Sequence, residues 1–284
     1  SAVEAMANNE ILQIVVFSVF LGVAISAVGE KAAPLVRATE ALVAVMLQIT
    51  NYVMMFAPLA VFAAVSATLT EQGPGVIKNL AYFMGSFYFG LAVLWALLFG
   101  LCYLIVGART RSLLRYIGAP LMIGFSTASS EAALPRVLEA LERFGVPPKI
   151  AGFVVPLGYS FNLDGSMMYM TFASLFIAQA YGIHLSIGAQ VTMLLTLLIT
   201  SKGIAGVPRA SLVVIAATLP VFHIPEAGLL LILAVDHFLD MGRSATNVVG
   251  NAIAASVIAK WEGTLEAPEP PEIGLNELPR ADHA

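Results

Sequence analysis

The chain has 284 residues, 59% of them apolar and only 11% charged, with a mean hydropathy of +0.87. Soluble domains carry about 25% charged residues and an apolar share of about 45–50%, so this composition excludes a water-facing globule and marks a membrane protein. The net charge of −4 gives nucleic acid nothing to hold, and the single Cys102 excludes a disulfide framework and any multi-thiolate metal site.

Taken in chain order, apolar runs long enough to cross a bilayer, which needs about 20 residues, fall at 11–28, 41–68, 79–108, 150–182 and 227–260. These predict an all-α polytopic membrane protein. The chain opens on Ser1 with no basic-then-apolar leader, and it reads as a piece of a longer protein. Residues 263–284 concentrate acids and prolines, among them Glu266, Pro268, Glu269, Pro270, Pro271 and Glu272, and they read as a disordered tail.

Two stretches do not fit a simple span. Residues 117–141 are interrupted at Ser129, Ser130 and Glu131, with the apolar run stopping at Pro135, and residues 188–222 at Ser201, Lys202 and Gly203 and again at Pro208 and Arg209. Each has two short apolar arms around a polar centre of small residues, the pattern of a re-entrant hairpin, whose non-helical backbone is tolerated where it lines a cavity. The centres Thr127 to Pro135 and Thr200 to Pro208 also align weakly, and paired broken segments point to a transporter's binding site. With both hairpins entering and leaving on one face, the loop cations Lys31, Arg37, Arg109, Arg111, Arg115, Arg136, Arg143, Lys149, Lys260 and Arg280 share a side against Lys78 alone. By the positive-inside rule that side, with the C-terminus, is cytoplasmic.

Ionisable groups at membrane depth are costly and mark function by default. The final span carries Asp236, Asp240, Arg243, Asn247 and Asn251, which at helical spacing fall within about 80° of arc. A carboxylate and a guanidinium one turn apart suit a zwitterion: the Arg fork takes a ligand carboxylate and the Asp takes an ammonium. The plainer alternative is an ion pair that only fixes helix packing. In the fourth span, Asn162 to Ser166 unwinds the helix and offers oxygens, with the Asp164 carboxylate, for an alkali cation; the plainer alternative there is a glycine kink. Hydroxyls of Ser129 and Ser130 and amides of Gly203 and Gly206 are placed to close over an anionic ligand. An intramembrane aspartyl protease is disfavoured, because its two carboxylates must share a proton and Arg243 would hold Asp236 and Asp240 ionised. A channel gains nothing from a charge pair of zwitterion size in its wall.

Three motifs, Gly158 to Ser166 (GYSFNLDGS), Ser201 to Pro208 (SKGIAGVP) and Asp236 to Asn251 (DHFLDMGRSATNVVGN), resemble signatures of the dicarboxylate/amino acid:cation symporter family, the family of glutamate and aspartate transporters. The resemblance runs from about residue 2 to 261. It implies a homotrimer of elevator-type subunits with eight spanning helices and two re-entrant hairpins, lodged in the lipid bilayer of a bacterial inner membrane. In that frame the chain begins near the end of the fourth family helix and lacks the first three. Residues 1–77 would be scaffold-type, 78–262 the transport domain and 263–284 a cytoplasmic tail.

By the same resemblance, Arg243 pairs with the substrate side-chain carboxylate and Asp240 with its amino group. Ser130, Ser166, Ser244 and Asn247 are further substrate contacts, and Val207 contributes backbone at the second hairpin, the family's gate. Asn162 and Asp164 match side-chain cation ligands, with Gly158, Ser160, Ser201 and Ile204 assisting through backbone or hydroxyl oxygens. No cofactor and no catalysis are implied, only a coupling ion.

Departures from the family pattern refine this. Asn251 stands where sodium-coupled members have Asp, and Leu163 replaces a Met beside a second cation site. Both raise proton coupling against full sodium coupling. Ser129 to Glu131, Asn251 and Ser201 to Gly203 resemble the C4-dicarboxylate branch, in which the amino-group Asp is absent. Asp240 is present, and two anions near 4 Å repel by about 4 kcal/mol at an effective dielectric of about 20. The expectation is therefore an importer of glutamate or aspartate by alternating access, ahead of a succinate-like acid, coupled to protons, sodium or both.

Overall fold

A computed structural model describes residues 3–4, 11–54, 75–161, 163–202 and 208–268, with isolated positions at 59, 62, 63, 66, 70 and 73 between them. Among the described residues all regular structure is helical. The first helix, α1 (Ile11–Val28), matches its apolar run, and α2 (Ala33–Met54) starts ahead of the second. The remainder of the 41–68 span falls largely outside the described residues. Between α1 and α2, Gly29 adopts a left-handed φ of 68°. Their described side chains, Phe20 and Leu42 included, are mostly exposed.

Helix α3 (Gly75–Val106) is 32 residues long, about 48 Å at 1.5 Å per residue. That exceeds a hydrocarbon core of about 30 Å, so it crosses with a tilt. It turns one face inward (Phe83, Phe87, Leu91, Cys102) and leaves Phe89 71% and Leu104 80% exposed. Large apolar side chains outside, with buried charge inside, are the arrangement a bilayer solvent selects.

Helices α4 (Thr110–Thr127) and α5 (Ser130–Phe144) form the first helix pair. Ala128, at φ 51°, closes α4: its N–H donates to Phe125 O (3.2 Å) and that of Ser129 to Gly124 O (3.2 Å), the two bonds of a Schellman end. Ser129 then caps α5, its Oγ accepting from the Ala132 N–H (3.3 Å). The interruption lies where the sequence places it. Pro135 does not end the second arm, however. The helix runs through it to Phe144, because an amphipathic face (Ala133, Val137, Leu141, Phe144) is buried beyond the proline.

Helices α6 (Pro148–Phe161) and α7 (Asp164–Ala180) are separated within the stretch where the sequence predicts unwinding, but the break is shorter than expected. Asp164, Gly165 and Ser166 form the first turn of α7, because Asn247 accepts from the Gly165 and Ser166 amides. Helices α8 (Ile187–Thr200) and α9 (Ala210–Thr218) form the second helix pair, on either side of residues 201–209. The last predicted span, 227–260, is not one helix. A short α10 (Leu229–Leu233) is separated from α11 (Asp236–Trp261) at Ala234 and Val235. The new helix starts where Asp236 is drawn into a buried charge cluster.

Helix α11 threads two apolar cores. Leu239 packs with Phe87, Tyr169, Met193, Leu197 and Ile215. Val248, Val249, Ala252 and Ala255 pack with Leu113, Ile117, Val137, Leu141 and Phe144. Past its end the chain is tied down rather than free: the Glu266 N–H donates to Gly145 O (2.9 Å), Arg109 Nη2 donates to Glu266 O, and Leu265 packs on the second core. The tail at 269–284 lies outside the described residues.

Candidate functional site

All five members of the predicted stripe on α11 are buried, Asp236, Asp240, Arg243 and Asn247 completely. The helix delivers them to one face, and the α6–α7 break and the second helix pair meet that face. Arg243 Nε lies 2.5 Å from Asp240 Oδ1. The same guanidinium donates through Nη1 to Ser166 Oγ (3.1 Å) and through Nη2 to Ala128 O (3.4 Å), so it spans α7 and the turn of the first helix pair.

Asn247 fixes the start of α7 against α11. Its Oδ1 accepts from the Gly165 N–H (2.9 Å) and the Ser166 N–H (3.3 Å), and its Nδ2 donates to Ser166 Oγ (3.2 Å). Amides exposed by the break thus find an acceptor on the next helix. Close approach requires small residues on both sides. A Cβ on Gly165 would strike the Arg243 carbonyl, and one on Gly250 the Asp164 carboxylate. Ser130 Oγ and Ser244 Oγ are buried in the same region and make no hydrogen bond among the described residues. Donors and acceptors left in that condition cost about 1–3 kcal/mol each, a cost that a polar ligand relieves.

The substrate contacts implied by resemblance therefore converge for Arg243, Asp240, Ser166 and Asn247, with Ser130 and Ser244 buried nearby on the same packed elements. Val207 lies outside the described residues. For the cation, Asn251 presses on Gly158 through its amide. Its Nδ2 donates to Asn247 O (2.9 Å), while its Oδ1 makes no hydrogen bond among the described residues. Asp164 faces Gly250, next to Asn251. Carboxylate and amide oxygens are hard donors of the kind an alkali cation takes; Asp164 meets α11 at Gly250, and Asn251 meets α6 at Gly158. The Ser160 Oγ bonds back to Pro156 O (3.1 Å). Ser201 Oγ turns to Met167 Sδ (3.3 Å) and Leu198 O (3.2 Å). Asn162 and Ile204, and the amides of Gly203 and Gly206, lie outside the described residues.

Three side chains join the cluster without having been singled out from the sequence as site residues. The hydroxyl of Tyr169 donates to Asp236 Oδ1. Arg209 Nε lies 3.2 Å from Asp236 Oδ2, and its main-chain N–H donates to Asp240 Oδ2 (2.7 Å). Lys202 Nζ donates to Phe161 O, at the carbonyl end of α6. Both basic residues sit in apolar runs, and that alone was a usable signal, since a cation at membrane depth needs a partner.

Comparison with known proteins places the chain in a family. A model of the sodium:dicarboxylate symporter family matches residues 1–261. The "C4-dicarboxylate transport protein 2" of Mesorhizobium japonicum is 44% identical over 265 residues, 93% of this chain and 60% of that protein. The "C4-dicarboxylate transport protein" of Stenotrophomonas maltophilia is 43% identical over 93% of this chain and 59% of its own length. The "Proton/sodium-glutamate symport protein" of Bacillus subtilis is 41% identical over 92% of this chain and 61% of its own. The chain thus spans about three-fifths of the length of these relatives. With the buried charge cluster and the broken helix in place, the chain belongs to the sodium:dicarboxylate symporter family.

Proposed function

We propose that the protein is a secondary active symporter that carries small acidic substrates across the bacterial inner membrane together with protons, sodium or both. The observation that carries this is the fully buried Asp240–Arg243 pair, beside two buried serine hydroxyls whose hydrogen bonds are unspent. Arg243 grips a carboxylate in its fork, and Asp240 receives an ammonium; aspartate and glutamate offer both. Cation binding near Asp164 and Asn251 orders the α6–α7 break against α11. The second hairpin then closes over the substrate, and the loaded domain crosses by alternating access within a homotrimer.

A second reading, a C4-dicarboxylate symporter, is favoured by one observation. Both Asp240 oxygens are already engaged, by Arg243 and by the Arg209 N–H, so the carboxylate repels a second anion less than a bare Asp would. Labelled aspartate, glutamate and succinate, each offered to full-length protein in proteoliposomes under a sodium gradient alone and a proton gradient alone, separate the readings. Aspartate or glutamate uptake supports the first and succinate uptake alone the second. No uptake of any of the three overturns both.

A further inference from the structure

Arg209 sits at the start of α9, on the returning arm of the second helix pair, in a left-handed conformation (φ 63°) that side chains other than glycine rarely adopt. What holds it there is visible. The N–H points at Asp240 Oδ2 and the guanidinium pairs with Asp236 Oδ2. The cluster then contains two carboxylates, Asp236 and Asp240, and two guanidiniums, Arg209 and Arg243. Without Arg209 it would carry one net negative charge in a setting where charges are weakly screened.

We propose that Arg209 is a specificity-determining residue of this site: its guanidinium supplies the second positive charge that lets a site with two aspartates take a C4 dicarboxylate lacking an amino group. The pairing with Asp236 uses Nε, the side chain remains 23% exposed, and among the described residues its terminal nitrogens make no hydrogen bond, which leaves them to a second carboxylate. An acidic amino acid brings its own ammonium and depends less on this charge. A doubly anionic acid brings none, and the difference between the two ligands is one unit of charge next to Asp236 and Asp240. Discrimination follows from that difference in affinities rather than from shape.

This rests on the acidic-substrate reading above. Arg209→Gly is the informative substitution, because glycine accepts the left-handed backbone and keeps the N–H to Asp240 while removing the side chain and its charge; Arg209→Lys restores a long cationic side chain as the control. Uptake of succinate and of aspartate is compared in full-length wild type, Arg209→Gly and Arg209→Lys in proteoliposomes. The ratio of succinate to aspartate kcat/KM should fall by about tenfold or more in Arg209→Gly and stay within about threefold of wild type in Arg209→Lys, which keeps the charge. A purely structural role would lower both substrates together and leave the ratio alone. Wild type that carries aspartate but no succinate, or an unchanged ratio in Arg209→Gly, or an equal fall in Arg209→Lys, overturns the assignment of Arg209 alone. Wild type that carries neither acid overturns the acidic-substrate reading and this inference with it.

Discussion

The first helix pair turns at Ala128 and Ser129 through bonds that are local: a Schellman closure, a serine cap, and apolar residues of α5 against the second core. The second pair returns to the same final helix through charge, with Arg209 on Asp236 and Asp240, and Lys202 on the end of α6. Two segments with similar patterning, small polar centres between apolar arms, are thus fixed by different forces. The first is held by bonds within its own chain segment, by packing against the second core and by one hydrogen bond from Arg243 to Ala128 O. The second adds ion pairs to its apolar packing on Leu239, and their strength depends on what else occupies the cluster. A ligand that brings charge therefore acts more directly on the hold of the second pair than on that of the first.

Substitutions that strike the charge, the packing and the cap in turn sharpen this contrast. The largest effect is expected from Arg243→Ala, which strands Asp240 buried without its guanidinium; breaking such a pair costs about 3–5 kcal/mol. Uptake of acidic substrates in proteoliposomes should fall by more than about a hundredfold. Glutamate uptake that survives unchanged would remove Arg243 from the carboxylate grip. Next comes Gly250→Ala, whose Cβ meets the Asp164 carboxylate. Displacing it costs about 1–3 kcal/mol, and the cation concentration for half-maximal uptake should rise by about tenfold, more than the KM for substrate. Equal shifts in both would place Asp164 outside the cation site. The smallest effect belongs to Ser129→Ala, the loss of one cap, about 1 kcal/mol. It should lower thermal stability in detergent while leaving the succinate-to-aspartate ratio as in wild type. A changed ratio would show that the first pair, too, takes part in choosing the substrate.

Much of this arrangement was legible in the sequence, for identifiable reasons. The stripe from Asp236 to Asn251 obeys helical spacing, so its burial on one face followed from periodicity alone. The α6–α7 break was readable because Asn162 and Gly165 are poor helix formers, and the first turn because Ser129 and Ser130 interrupt an apolar run. The division of 227–260 into two helices was not readable. Nothing local in Ala234 and Val235 stops a helix, and the break serves the contacts of Asp236 with Tyr169 and Arg209, which come from distant parts of the chain. Arg209, a cation in an apolar run, signalled that it needs a partner, but its spacing from Asp236 carries no periodic signal, and only the fold shows which partner it takes. Pro135 misled in the other direction, since burial of the α5 face outweighs the hydrogen bond that proline removes.

The proposed symport depends on Asp240 and Arg243 acting together as the grip on an acidic substrate. The most direct test is equilibrium binding of labelled aspartate and succinate to full-length wild type and Asp240→Ser in detergent. Asp240→Ser should lose aspartate affinity and gain succinate affinity, reversing the preference by about tenfold or more. Equal affinities for both ligands in the two proteins would mean that Asp240 touches neither, and the cluster would then be a packing device.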